Sequence, residues 1–515
     1  MAPRRSSASA PAVPAHSSDP SGGGRREVSL GEVGAFRLTV GALLFITISR
    51  AHDYLGPVAA VRPGLILFVL ALLLLFMNPG SARLENLTRE WPSRVVLGLV
   101  VVACLGALTG LSLTASGAFL TSIFFRLVTF FALVAISIQV IRDLRFLMAT
   151  YVVSLIVLAG IIVFVVGPTN VDGVQRIGET SMYDGNDLGV IFTAGLPFAL
   201  LMAQAGGRWA RVMGWVALVA VPACIVLTGS RGGFLALAAV GIAILFLMPR
   251  VGLVRRMGIL GAAVVVMAVA APDGYWDTMA TILNPQEDYN LTDESGRMAI
   301  WKRGMGYVAE YPVFGVGPDN FVRAGWEISA VGRAGLPGVG LRSLAPHNTF
   351  LQVWAEMGTV GLLLWLSILY GGIVGCLRAR SRMPSWWLNG TSDQRLLYLF
   401  ASYLPISFIG FSVATFFTSH AYTGVFYILA GFLAAFHVLL RSERMRGRHV
   451  ADPGDGRTLE SLSRNAVRPS RGAYQPARVR AEGGRLPLPT ALGRAGPSGL
   501  TSRTEPVARS RGSSS

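Results

Sequence analysis

The sequence predicts an all-α, polytopic membrane protein of about twelve transmembrane helices, with one large extracytoplasmic loop and disordered cytoplasmic tails. Three observations predict it. The 515 residues are 52% hydrophobic and only 14% charged, with a mean hydropathy of +0.53, whereas about a quarter of a soluble domain is charged. Apolar runs recur at the length of about 20 residues that a helix needs to cross a hydrocarbon core. Between those runs the Arg residues fall on alternate sides, which is how short loops declare their orientation.

Residues 1–34 are polar and rich in Ser, Pro, Gly and Ala, so they read as a disordered cytoplasmic tail, with no small-residue cleavage site of the kind that ends a signal peptide. Residues 35–272 hold spans 1–9, near 36–52, 58–78, 95–113, 117–140, 146–167, 187–205, 209–228, 233–249 and 257–272. The first is the weakest, because its apolar core from Leu38 to Ser49 is short and flanked by Arg37 and Arg50. Residues 273–346 form the large periplasmic loop, and residues 347–440 hold spans 10–12, near 347–376, 396–417 and 420–440. Residues 441–515 are a disordered basic cytoplasmic tail.

With the N-terminus inside, the cytoplasmic loops carry Arg83, Arg89, Arg94, Arg142, Arg145, Arg208, Arg211, Arg250, Arg255, Arg256, Arg378, Arg380, Arg382 and Arg395. The opposite short loops carry only Arg50, Arg62, Arg176 and Arg231. Positive-inside asymmetry of this kind puts both termini in the cytoplasm and the long loop outside.

The formal charge of +17 suggests nucleic acid only until it is located. Residues 441–515 hold 15 Arg against 6 acidic residues. A basic tail beside a bilayer meets anionic lipid headgroups, and no aromatic-basic module accompanies it, so no nucleic-acid partner is expected. The three cysteines, Cys104, Cys224 and Cys376, are far apart in apolar runs. No metal site, disulfide framework or cofactor follows from them, and there is no GxxxxGK phosphate loop.

Three segments on the outer side carry chemistry. The first is Thr228-Gly229-Ser230-Arg231-Gly232-Gly233, where glycines on either side of Arg231 let backbone amides approach an anion. The simpler reading is a tight turn whose Arg reaches the interface. Ser230 does not stand where a nucleophile elbow requires it. The second lies in the long loop. Met298, Trp301, Met305 and Val308 recur at helical spacing and predict an amphipathic helix lying on the membrane or the bundle. Its Arg297 suits a bidentate phosphate contact or, more simply, pairing with Glu294. Farther on stands Tyr311-Pro312-Val313-Phe314-Gly315-Val316-Gly317-Pro318. The third is Pro346-His347-Asn348-Thr349, a helix start that puts His347 at a partially positive helix N-terminus, which favours the neutral imidazole that a general base needs. Asn186, at the opening of the sixth span, either hydrogen-bonds a ligand or caps its own helix, the simpler reading.

Together these residues resemble the O-antigen ligase family and its related surface-polysaccharide polymerases and oligosaccharide transferases. The likeness rests on His347-Asn348, nine residues, then Gly358-x-x-Gly361. Accompanying it are the 228–233 turn, the Pro-x-x-Gly-x-Gly-Pro run at 312–318 and Gly185-Asn186-Asp187-Leu188-Gly189, all in order over roughly residues 175–440. The resemblance implies a metal-independent and inverting glycosyltransferase. It would move a glycan from undecaprenyl diphosphate to a hydroxyl of a lipid A-core or another glycan on the periplasmic face. It implies catalytic roles for His347, Arg297 and Arg231, His347 as base and the arginines on the diphosphate. It adds Asn348 and Asn186 as substrate contacts. A polymerase joining lipid-linked repeat units fits the same motif. A secondary transporter is the rival of another class, but the polar residues gather at one surface instead of the midplane, where only Arg126 stands out.

Overall fold

The computed structural model describes residues 34–171, 174–177, 183–249, 251–283, 296–328 and 345–451. Twelve helices among them coincide with the twelve expected spans. They are α1 (Ala35–Ser49), α2 (Pro63–Met77), α3 (Trp91–Thr109), α4 (Leu113–Ser137), α5 (Ile141–Val166), α6 (Gly185–Ala205), α7 (Arg208–Leu227), α8 (Arg231–Leu247), α9 (Leu253–Ala270), and then, beyond the long loop, Thr349–Ser381, Ser392–Thr415 and Gly424–Ala451. Nine have the length and apolarity to cross a membrane, while α1, α2 and α8 are shorter apolar helices. At about 1.5 Å per residue, the 15 residues of α1 reach only some 22 Å of a core roughly 30 Å thick.

The two Arg residues that made the first span doubtful are both satisfied. Arg37 pairs with buried Asp143 at 3.1 Å, and Arg50 pairs with Asp53 at 2.7 Å. Ion pairing and the chain's turn away at Arg50 let a short span end without stranding a charge in lipid. Arg126, in contrast, is exposed on the flank of α4.

Helices dominate because lipid offers no hydrogen-bond partner to an open backbone. One small departure from an all-α reading follows α5. A two-stranded antiparallel hairpin, β1 (Pro168–Val171) and β2 (Val174–Ile177), pairs Pro168 with Ile177. In the long loop, beyond a short helical stretch at Tyr275–Ala280, stand α10 (Arg297–Glu310) and α11 (Phe321–Glu327). The three C-terminal spans are accordingly α12 (Thr349–Ser381), α13 (Ser392–Thr415) and α14 (Gly424–Ala451).

The core centres on α6, which packs against α5, α7, α8 and α13. Close approach there needs small residues. A Cβ on Gly410 of α13 would stand 2.9 Å from the Thr193 carbonyl oxygen of α6 and 2.7 Å from Val240 of α8. Aromatic packing fills the remaining space, with Phe198 of α6 stacked on Phe400 of α13 and Trp365 of α12 stacked on Phe426 of α14. Peripheral α9 buries only Met267. Between it and α6, α7 and α8 lies an apolar cavity of about 350 Å³.

Of the stripe that the spacing picked out on the long-loop helix, Val308 lies on the bundle and Met298 and Met305 stay exposed. Ile300, Gly304, Tyr307 and Val308 of α10 are buried, while Met298 and Met305 are each 46% exposed. The stripe at 300, 304, 307 and 308 packs on α12 and on Phe321, and a Cβ on Gly304 would meet Leu351 at 2.9 Å and Phe321 at 3.0 Å. A glycine opposite bulky neighbours permits that close approach, which hydrophobicity alone does not register.

Candidate functional site

The start of α12 is held from three directions. Asn348 is its N-cap, its Oδ1 accepting from the Leu351 N–H at 3.0 Å. His347 sits just before the cap with φ of +44°, a left-handed conformation that costs a non-glycine residue about 1–2 kcal/mol. The conformation is tied down by its own N–H, which donates to the Ser419 hydroxyl at 3.0 Å, and by the indole N–H of Trp301, which donates to the Pro346 carbonyl at 2.9 Å. Thr349 follows, its hydroxyl donating to the Thr418 carbonyl at 2.7 Å and accepting from the His420 N–H at 2.8 Å.

The start of α6 forms the opposite wall. The cap is Asp184 and not Asn186: Asp184 Oδ1 accepts from the N–H groups of Asn186 and Asp187, both at 2.8 Å, and Asp187 closes the capping box. A carboxylate three residues before another at a helix start satisfies two amides reciprocally, so Asn186 is released. Its Oδ1 accepts from Ser230 at 2.7 Å and ties α6 to the turn before α8. Ser230 in turn caps α8 by accepting from the Gly233 N–H at 3.0 Å.

Arg231 is the first residue of α8, and its guanidinium donates to the Thr281 hydroxyl at 3.0 Å. Its neighbour Gly232 lies so close to Phe417 that a Cβ would stand 3.0 Å from the ring's Cβ. The segment that receives the His347 N–H therefore also abuts the Arg231 turn.

That segment, 416–423, contains a residue pair that the sequence reading passed over. His420 Nε2 lies 2.8 Å from Asp187 Oδ1, which also accepts from the Thr418 hydroxyl at 3.2 Å. His420 Nδ1 lies 3.0 Å from the Thr423 hydroxyl. The expectation had the last span open at 420, but α14 begins at Gly424 and His420 belongs to the turn before it. The polar run Thr418-Ser419-His420 between two apolar stretches was the available signal.

Burial and nearby charges act on His347. Half-buried, its imidazole is held below the ordinary histidine range, first by loss of water and then by the positive charge of Arg297, with Asp184 and Asp187 pulling in the opposite sense. Arg297 opens α10; Glu294, its expected partner, lies outside the described residues. The neutral imidazole that results is competent as a base.

The glycines of the motif serve a different purpose. At Gly358, with φ of +65° and ψ of −173°, α12 breaks, and any Cβ there would collide with the Val313 carbonyl. The Pro312–Pro318 run docks into the break. Thr359 N–H donates to the Pro312 carbonyl at 2.8 Å, Val316 N–H to the Ala355 carbonyl at 2.8 Å, and Gly317 N–H to the Glu356 carbonyl at 3.1 Å. Gly315 and Gly317 also take positive φ. The two glycine motifs, some 40 residues apart in sequence, are two halves of one backbone joint.

Residues 215–366 match the family model described as O-Antigen ligase. The match takes in the Arg231 turn, Arg297, the 312–318 run and the His347 motif, so the resemblance is borne out over that stretch. It implies a multi-pass membrane enzyme, glycosyltransferase-like, of the ligase or polymerase type. No curated protein matches the chain.

Proposed function

With the O-antigen ligase match as premise, we propose that the chain is a ligase-type glycosyltransferase. It takes a glycan from undecaprenyl diphosphate on the periplasmic face of the inner membrane and joins it to a hydroxyl of a lipid A-core or glycan acceptor. His347 removes the proton of the acceptor hydroxyl as its oxygen attacks the anomeric carbon. The bond from that carbon to the diphosphate breaks, its electrons pass to the departing oxygen, and attack from the opposite face inverts the centre. Arg231 and Arg297 hold the diphosphate and stabilise the charge that grows on it, the term that preorganised cations supply best in a partly dehydrated site.

The observation that carries the reading is the state of His347. A half-buried imidazole, depressed below its ordinary range by burial and by Arg297, is fixed in a left-handed backbone conformation by Ser419. Strain of this kind persists where surrounding structure over-determines it, commonly at working sites. Asn348 and Asn186 we assign to support of the site, since their carboxamide oxygens are taken by Leu351 and Ser230. The apolar cavity offers room for a few isoprene units of the prenyl chain, because it starts at Phe234, one turn into the helix that Arg231 opens.

The test is glycan display in a host that depends on this chain. His347→Ala and Arg231→Ala variants, inserted at the level of the unaltered protein, should leave finished polymer on its lipid carrier. Loss of general-base function alone lowers rate by about 10²–10⁴-fold. Full surface glycan from either variant would overturn the reading. Single repeat units on the acceptor would mark a polymerase instead.

A further inference from the structure

We propose that Asp187 and His420 form a positioning pair that sets the catalytic geometry of His347 through the 418–420 turn. The inference rests on the reading of His347 as the base. The connection is continuous and made of hydrogen bonds. Asp187 Oδ1 meets His420 Nε2 at 2.8 Å and accepts from Thr418 at 3.2 Å, which joins the start of α6 to the turn. Between those two residues stands Ser419, whose hydroxyl accepts the His347 N–H at 3.0 Å. Thr349 closes the circuit on the far side of His347, bonded to the Thr418 carbonyl at 2.7 Å and to the His420 N–H at 2.8 Å.

Burial favours this assignment over direct contact with substrate. The His420 side chain is 4% exposed, and that of Asp187 is 25% exposed. A buried imidazole with both ring nitrogens occupied, by Asp187 and by Thr423, has little left to offer a sugar. What it can do is fix a turn. Without that turn, residue 347 loses the bond that holds its N–H in a conformation its own backbone disfavours. Asp187 has a second effect, because its negative charge with that of Asp184 opposes Arg297 at His347. The same carboxylate therefore aims the base and stabilises the imidazolium formed when the base takes its proton.

The charged and titratable groups that act on His347 are Arg297 at the start of α10 and Asp184 and Asp187 at the start of α6; His420 acts through the turn. Steady-state transfer should be measured in membranes holding the full-length chain, with a lipid-diphosphate-linked glycan donor and a core-oligosaccharide acceptor. His420→Leu is expected to lower kcat about tenfold or more, with the donor KM little changed. His420→Gln, which keeps a donor for Asp187, should restore most of the rate. Asp187→Asn removes a charge that raises the His347 pKa, so the acid limb of the kcat profile should move to lower pH. Misfolding would lower the amount of active protein and leave the shape of that profile alone. Should His420→Leu fail to accumulate, Ser419→Ala, expected to lose several-fold in kcat, carries the same test. Unchanged kcat and unchanged acid limb in Asp187→Asn and Ser419→Ala, beside an inactive His347→Ala, overturn the positioning role and leave the base intact. Full activity in His347→Ala overturns both.

Discussion

The two ends of the motif that begins at His347 and runs to Gly361 are built for opposite purposes. At the His347 end, charges on α6 and α10 act on a half-buried imidazole, and the backbone is held in a disfavoured conformation by a hydroxyl of the 416–423 turn. At the Gly358 end the backbone makes the joint and side chains brace it, the Glu356 carboxylate accepting from the Phe321 N–H at 3.2 Å and Asn320 Nδ2 donating to the Val316 carbonyl at 3.1 Å. The backbone of α12 opens and the 312–318 run pairs with it, with glycine wherever a Cβ would strike a carbonyl. One end holds a reactive group at a set angle and charge; the other locks the long loop onto the bundle. The lesson is that a short motif can join chemistry and architecture, and that the two fail differently when altered.

Gly358→Ala should break the architectural end most severely. A Cβ there meets the Val313 carbonyl, in a region of conformational space reserved almost wholly for glycine. A loss on the order of 4 kcal/mol or more is expected, seen as failure of the protein to accumulate in membranes. Accumulation at the unaltered level would show that the joint is dispensable.

Arg297→Gln should sharpen the contrast from the chemical end. The protein should accumulate normally, and transfer should fall by about 10²-fold as a charge on the diphosphate is lost. The pH profile should also move. Arg297 lowers the His347 pKa, so its removal raises that pKa, and the acid limb, where activity falls as His347 takes up a proton, shifts to higher pH. Arg297→Lys should leave the limb in place. A limb that fails to move in Arg297→Gln would separate the two residues.

Smaller effects are expected at the supports. Asn348→Ala removes the cap of α12 at a cost of about 1 kcal/mol, whereas Asn348→Asp keeps an acceptor for the Leu351 N–H. A thermal-inactivation series should rank Asp near the unaltered protein and Ala below it; equal stability would remove the cap from the account. Trp301→Phe keeps the edge-on contact with Phe416 but loses the bond to the Pro346 carbonyl, for roughly 1 kcal/mol. A drop in transfer of about fivefold, in line with that energy, is the outcome to look for.

Much of this molecule was legible before its structure. Twelve apolar runs became twelve helices, because a chain in lipid has few ways to satisfy its backbone. The doubtful first span was a helix, its flanking Arg37 satisfied by an Asp143 more than 100 residues away. At α10 the spacing of Met298, Trp301, Met305 and Val308 pointed to a helix on the membrane or the bundle; Val308 is buried on the bundle, while Met298 and Met305 stay exposed. The close approach of Gly304 to Leu351 and Phe321 is invisible to a hydrophobic count.

The site divides along the same line. Sequence by itself determined the span pattern and the candidate residues Arg231, Arg297 and His347, since residue type and local spacing suffice for both. Tertiary structure alone decided that Asp184 caps α6 and frees Asn186 for Ser230, that Gly358 opens a helix for a loop some 40 residues upstream, and that His420 meets Asp187 across 233 residues of chain. Periodicity reports what lies on one helix, and hydrogen bonds between distant turns leave no period to read.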